Sequence, residues 1–202
     1  MDTRQQVPFI APTPKPNFFT NNVPNFFQSK EAVYNLHYYN LMAASELGDL
    51  IEFKRLEVLN QDPLSLTKVG GFDIHRVDAN GNHCLIAAAN KGKLNIVTYL
   101  LEKGFQVDKP NKEGATAAWF ASGGAHGNEE VLRLLLERGA DPNVQPANNQ
   151  KYAPPLYLAA DFNHPEICKI LIEFGAVLEA KYKRGSALGI AMKKNNVQGK
   201  TK

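Results

Sequence analysis

Gly81 and Gly114 stand 33 residues apart, and each opens a similar unit. The first runs Asp78-x-Asn80-Gly81 and then Leu85, Ala88, Ala89 and Gly92; the second runs Asn111-x-Glu113-Gly114 and then Thr116, Ala118 and Ala121. A period of this length marks a repeat array, in which each unit buries its apolar face only against its neighbours. Function in such an array is sought on a surface that recurs, not in one catalytic cleft.

The second half of each unit repeats as well. Eight residues before each of three glycines begins the same apolar quartet. The quartets are Ile96, Val97, Leu100 and Leu101 before Gly104; Val131, Leu132, Leu135 and Leu136 before Gly139; and Ile167, Cys168, Leu171 and Ile172 before Gly175. Apolar positions at i, i+1, i+4 and i+5 make one buried helix stripe. Each glycine then falls where a helix ends, a place that often needs positive φ.

Helix, turn, helix, glycine and acidic hairpin at about 33 residues resembles the ankyrin repeat. Leu85-x-x-Ala88-Ala89 is similar to that family's first helix, and Gly92 through Gly104 to its second. The resemblance covers about Tyr39 to Lys194 and implies an all-α solenoid of stacked helix-turn-helix units joined by hairpin loops. A Pro/Phe-rich leader occupies 1–28, followed by a capping repeat over 29–60 and a long loop over 61–77. Full repeats fall at 78–110, 111–145 and 146–180, with a half-repeat and basic tail at 181–202. In the cap, Leu41, Ala44, Ser45 and Gly48 take first-helix slots, while Phe53 and Leu56 with Glu52 and Glu57 give a half-polar second stripe, as a solvated end requires.

The departures from the family pattern matter too. Its Thr-Pro-Leu-His turn is replaced by His83-Cys84-Leu85-Ile86, Thr116-Ala117-Ala118-Trp119, Pro154-Pro155-Leu156-Tyr157 and the shortened Ser186-Ala187-Leu188-Gly189. The hydrogen bonds that the motif supplies are therefore not expected in their usual form. Extra residues enter near Gly123 to His126 and between Gln145 and Ala153. Gly185 to Met192 reads as a fifth first helix, but the polar stretch from Asn195 to Lys202 cannot supply its second; either the half-repeat serves as a modest cap, or the chain is a piece of a longer protein, or a partner covers the exposed end.

Composition agrees with a packed, intracellular chain: 44% of its 202 residues are hydrophobic, and no apolar run approaches the ~20 residues that cross a bilayer. Asp2 beside Arg4, followed by prolines, is unlike a secretory signal. Cys84 and Cys168 fall in helix slots, so buried free thiols are expected over a disulfide. The leader repeats Pro-Asn-Phe-Phe at 16–19 and 24–27. Its phenylalanines pack along the chain's own first repeat, form a recognition motif for another protein, or belong to a disordered segment.

No His-Glu-x-x-His, Cys-x-x-Cys or Gly-x-Ser-x-Gly occurs, so no catalytic, cofactor or metal site is expected. Gly199-Lys200-Thr201 imitates the end of a phosphate loop without its first glycine. His83 and His126 read as structural or solvated, and Asp141 and Glu179 as turn residues. Lys181, Lys183, Arg184, Lys193, Lys194, Lys200 and Lys202 make a basic C-terminal tip, which either solvates the end of the array or meets nucleic acid or anionic lipid.

The resemblance implies a non-enzymatic interaction module that binds another protein across its hairpin tips and concave first-helix face. The matching positions are Asn80, Asn82, Asn90, Lys91, Lys112, Glu113, Ala115, the insertion at His126, Asp161, Phe162, Lys183 and Arg184, with Trp119 and Tyr157 in the slot of the family's histidine. A monomer in the cytoplasm, with a protein partner and no small-molecule substrate, is the expectation. Rival readings are a targeting domain of a larger enzyme, or a nucleic-acid or membrane adaptor using the basic tip. The altered turns, the Asn and Lys richness and the leader also resemble ankyrin effectors that intracellular bacteria deliver into a host cytoplasm.

Overall fold

A computed structural model describes residues 40–61, 74–123, 128–144, 146, 152–182 and 185–198. Helices come in pairs. The described part of α1 spans residues 40–47 and is followed by α2 (Leu50–Gln61). Next come α3 (Cys84–Asn90) with α4 (Leu94–Glu102), α5 (Ala117–Gly123) with α6 (Glu129–Glu137), and α7 (Pro155–Asp161) with α8 (Pro165–Glu173). A short antiparallel ribbon, β1 (Lys181–Tyr182) and β2 (Gly185–Ser186), leads into α9 (Ala187–Gln198). The long loop expected at 61–77 and the insertions near His126 and after Gln145 fall largely outside the described residues, and the leader wholly so.

Helices α3, α5 and α7 have seven residues each, too few to be stable alone, so their order comes from neighbours. One row forms as α3 packs on α5, α5 on α7 and α7 on α9; a second forms as α4 packs on α6 and α6 on α8. Small residues let the first row approach closely, with Ala87, Ala88, Ala89, Ala117, Ala118, Ala121, Ala159 and Ala160 all buried. The quartet residues Ile96, Val97, Leu100, Leu132, Leu135, Ile167 and Leu171 complete one continuous core.

Proline starts α7 and α8, where a missing N–H costs nothing. The second helices end alike: Gly139 has φ 90°, its N–H donates to Leu136 O, and Ala140 N–H donates to Leu135 O at 3.0 Å. The same pair of bonds recurs at Gly104 and Gly175, and it satisfies carbonyls that a helix end leaves open. Where α3 ends on Gly92, α7 ends before Asn163, a non-glycine residue at φ 60°. Asparagine tolerates that region better than most side chains, so the turn persists without a glycine to announce it.

Three expectations are corrected. Ile172 is 47% exposed, and Ile170 is buried in its stead. Glu57, read from sequence as part of the polar outer face, is buried, with Tyr99 Oη donating to it and Lys103 Nζ at 3.2 Å. One cause covers both: this slot faces the second helix of the following unit. Glu57 meets α4 there, whereas no second helix follows α8 among the described residues. Cys168 is half-buried, not fully so; Cys84 is buried, and both are free thiols. Burial raises the Cys168 thiol above its ordinary pKa.

Side chains brace the array, within a unit and between units, where the family turn is missing. His83 is fully buried, stands 3.0 Å by Nε2 from Lys109 O, and has an unpartnered, buried Nδ1. Asn128 Nδ2 donates to Ala89 O at 2.8 Å, and Asn95 Nδ2 to Gly48 O at 2.8 Å, each from a second helix back to the end of the preceding first helix.

Leu135→Ala should destabilise the protein by ~2 to 5 kcal/mol, and Ile172→Ala by less than ~1 kcal/mol, as the difference between emptying a packed site and trimming a half-exposed one. Urea unfolding of both variants measures this, and equal losses would contradict the placement of the two residues. The two kinds of glycine should also separate. Gly139 has nothing within 4 Å of an added Cβ, so Gly139→Ala carries the positive-φ cost alone, ~1 to 2 kcal/mol. Gly81→Ala adds a carbon 2.6 Å from Lys112 N and should cost distinctly more in the same assay.

Burial, partly opposed by the Lys109 carbonyl, holds the His83 imidazole below its ordinary pKa of 6.5. The unfolded chain therefore binds the proton more readily. Stability from this site is present above pH ~6.5 and is lost as pH falls through the lower folded value. The urea midpoint should drop between about pH 7.5 and about pH 5.5, and drop less in a His83→Gln variant; the same drop in both would exclude His83 as the source.

Candidate functional site

The hairpins that link the units are built from carboxylates and amides accepting backbone N–H groups. Asp78 Oδ1 accepts from Asn80 N and Asn82 N, each at 2.8 Å, while Asp78 Oδ2 accepts from Asn82 Nδ2 at 2.9 Å. One unit on, Asn111 Oδ1 accepts from Glu113 N at 3.0 Å and Ala115 N at 2.9 Å. Asp and Asn are suited to this, since the side chain imitates a turn's own carbonyl.

Successive hairpins are also joined to each other. Lys112 N donates to Asn80 O at 3.0 Å, Lys112 Nζ to Ala79 O at 2.9 Å, and Asn111 Nδ2 to Asn82 Oδ1 at 2.9 Å. Further along, Asp141 N donates to Asp108 Oδ2 at 2.9 Å. Asn143 bridges to the next unit, giving Nδ2–H to Gly175 O and taking Val177 N–H on Oδ1. Burial, countered by the Asp141 N–H, raises the Asp108 carboxyl above its usual range. The tips therefore form a ladder of fixed spacing, and side chains projecting from it keep their separations.

The candidate residues fall into groups on this frame. Asn80, Asn90, Lys91, Lys112 and Glu113 are exposed, and Phe162 is 55% exposed beside His164, ring centroids 6.3 Å apart. The ladder brings Asn80, Asn82 and Lys112 together; Asn82 and Asp161 are half-buried. Ala115 and Tyr157 are corrections. Both are buried, Ala115 beneath the Asn111 turn and Tyr157 edge-on against Tyr182 at 5.0 Å, so neither reaches an approaching partner.

Trp119 is half-buried and structurally engaged. Its Nε1–H donates to Ala153 O of the next unit at 2.9 Å, and its ring meets Phe120 and Tyr152 edge-on at 5.1 and 5.6 Å. His126, Lys183 and Arg184 lie outside the described residues, as do the side chains of the basic tip. Phe120 and Tyr152, not singled out from sequence, enlarge the aromatic edge around Trp119. Tyr152 was hidden in the inserted loop, where periodicity gives no register. Among the described residues no group of three or more His, Cys, Asp or Glu is placed to hold a metal ion, and no helix is long and apolar enough to cross a membrane.

Comparison with known proteins gives the same architecture. The family model described as ankyrin repeats (3 copies) matches residues 41–146, and the one described as ankyrin repeat matches 153–183. The chain is 34% identical over 111 residues to the human ankyrin repeat and KH domain-containing protein 1, covering 55% of this chain and 4% of that one. It is 33% identical over 117 residues to an ankyrin repeat-containing protein of Treponema pallidum (strain Nichols), covering 58% and 38% respectively. It is 28% identical over 138 residues to the E3 ubiquitin-protein ligase hecd-1 of Caenorhabditis elegans, covering 67% and 5%. The chain thus spans well under half the length of each of these relatives. With more than half of its residues matched by the repeat models and its helices stacked in two rows, the chain belongs to the ankyrin-repeat family.

Proposed function

We propose that the chain is a non-enzymatic module that binds another protein through its hairpin tips and first-helix ends. The carrying observation is the set of exposed Asn80, Lys112 and Glu113 on a ladder of hairpin-to-hairpin hydrogen bonds, together with exposed Asn90, Lys91 and Phe162 at the ends of first helices α3 and α7. Such a frame loses little conformational freedom on binding. Phe162 is the best-suited hot spot, a large exposed ring at a helix exit, while Lys91 and Glu113 give the surface charges of both signs. Asn82, Asp161 and Trp119 contribute their accessible edges; His126, Lys183 and Arg184 extend the surface on the register of the repeats. The module works as a monomer in the cytoplasm, needs no cofactor or small-molecule substrate, and has no primary role at nucleic acid or membrane.

A second reading is a targeting region within a longer, enzyme-bearing protein. It draws on one relative whose name is that of a ubiquitin ligase and of which the chain matches 5%. Here too the repeats bind protein, and the chemistry lies elsewhere.

Affinity capture from cell lysate with mass spectrometry identifies the partner, and calorimetry then compares it with a Lys91→Glu/Phe162→Ala variant. Affinity should fall by more than about tenfold, with circular dichroism and melting unchanged because both side chains are exposed. Unchanged affinity in that folded variant removes this surface from the interface. Trp119→Ala behaves differently: it takes away the bond to Ala153 O and should lower the melting temperature itself.

A further inference from the structure

The first described unit exposes apolar side chains where the stack asks for none. Ile51 is 83% and Val58 64% exposed. Counting from the glycine or asparagine that ends each first helix, the slot of Ile51 holds Asn95, Glu130 and Glu166 in the later units, and that of Val58 holds Glu102, Glu137 and Glu173. All six of those are exposed. A repeat protein is its own control: slots that face water are polar in three units and aliphatic in one. Leu47, at the end of α1, is 75% exposed.

Leu47 borders a groove of about 700 Å³ between the first two helix pairs, whose lining is part apolar, with Leu50, Leu94 and Tyr99, and part polar, with Lys54 and Glu102. Ile51 and Val58 lie one turn to either side of Lys54 on α2, beside that lining and not within it. Lys54 Nζ sits 4.8 Å from the centre of the Tyr99 ring, which leaves a cation in reach of further aromatic faces.

The chain carries a segment of matching chemistry close by. Twelve residues, 28–39, separate the end of Pro24-Asn25-Phe26-Phe27 from Asn40, where α1 is first described. Twelve residues span up to about 40 Å, while the eight described residues of α1 cover about 12 Å, so the length of intervening chain exceeds the length of helix it has to pass. Proline lacks an N–H and suits an extended segment recognised by its side chains. We propose that Phe26 and Phe27 dock in the groove between α2 and α4 of their own molecule, covering Leu47, Leu50 and Leu94. The occupant is the chain's own leader, and the surface it takes is distinct from the hairpin tips.

The test uses the full chain with a photoreactive benzophenone amino acid in place of Phe27, irradiated in dilute solution and mapped by mass spectrometry. Crosslinks within one molecule to α2 and α4 are expected. Their yield should fall at least about fivefold in a Leu47→Lys/Leu94→Lys variant, whose circular dichroism stays native because both positions are exposed. Crosslinks joining two molecules, crosslinks to other parts of the stack, an absence of crosslinks, or a yield indifferent to the two lysines would each overturn the proposal. As a second reading, Phe26→Ala/Phe27→Ala should slow no partner binding at the hairpin tips yet deepen hydrogen exchange along α2; unaltered exchange there also counts against it.

Discussion

The contact between one helix pair and the next is what the rest of the structure depends on. Seven-residue helices such as α3, α5 and α7 cannot hold themselves in water, and each becomes a helix because its buried face is pressed against neighbouring helices, α5 and α7 on both sides of the row. The aliphatic quartets supply the area removed from water, and the alanines supply the close approach that lets this area meet. Stability is then shared between neighbours and falls off at the ends, as in any nearest-neighbour stack.

Hydrogen bonds between units do a second job, that of register. Without the usual turn motif, the chain draws on assorted groups: the His83 imidazole, the Trp119 indole, and the amides of Asn95, Asn111, Asn128 and Asn143. Most of these run from a side chain to a backbone atom of the adjacent unit. Such bonds satisfy carbonyls and N–H groups that a loop would otherwise bury without partners. They also explain the abundance of asparagine, a side chain that gives and accepts at once.

Much of this was legible in the sequence. The 33-residue period, the quartets and the glycines that end α4, α6 and α8 fixed the helices and their order. What stayed hidden depended on neighbours. Ile172 and Leu136 occupy the same slot, yet only Leu136 has a following second helix to cover it. Tyr157 and Trp119 share another slot, but a ribbon residue, Tyr182, closes over the first, while the second lies half-open beside Tyr152. Asn163 was invisible because its turn is made by a residue type that seldom takes φ 60°. For the candidate surface, position along the repeat was readable, whereas burial had to await the stack.

Trp119 has a consequence for observing this molecule. It is the single tryptophan, and its indole spans the junction between the second and third full helix pairs through the Ala153 carbonyl. Its emission therefore reports on one seam of the array. Fraying that begins at α1 or α9 leaves this chromophore in its native surroundings until the loss reaches the middle. Fluorescence and circular dichroism should then trace different unfolding curves whenever the ends melt first, and the gap between them measures how far the array departs from unfolding as one body.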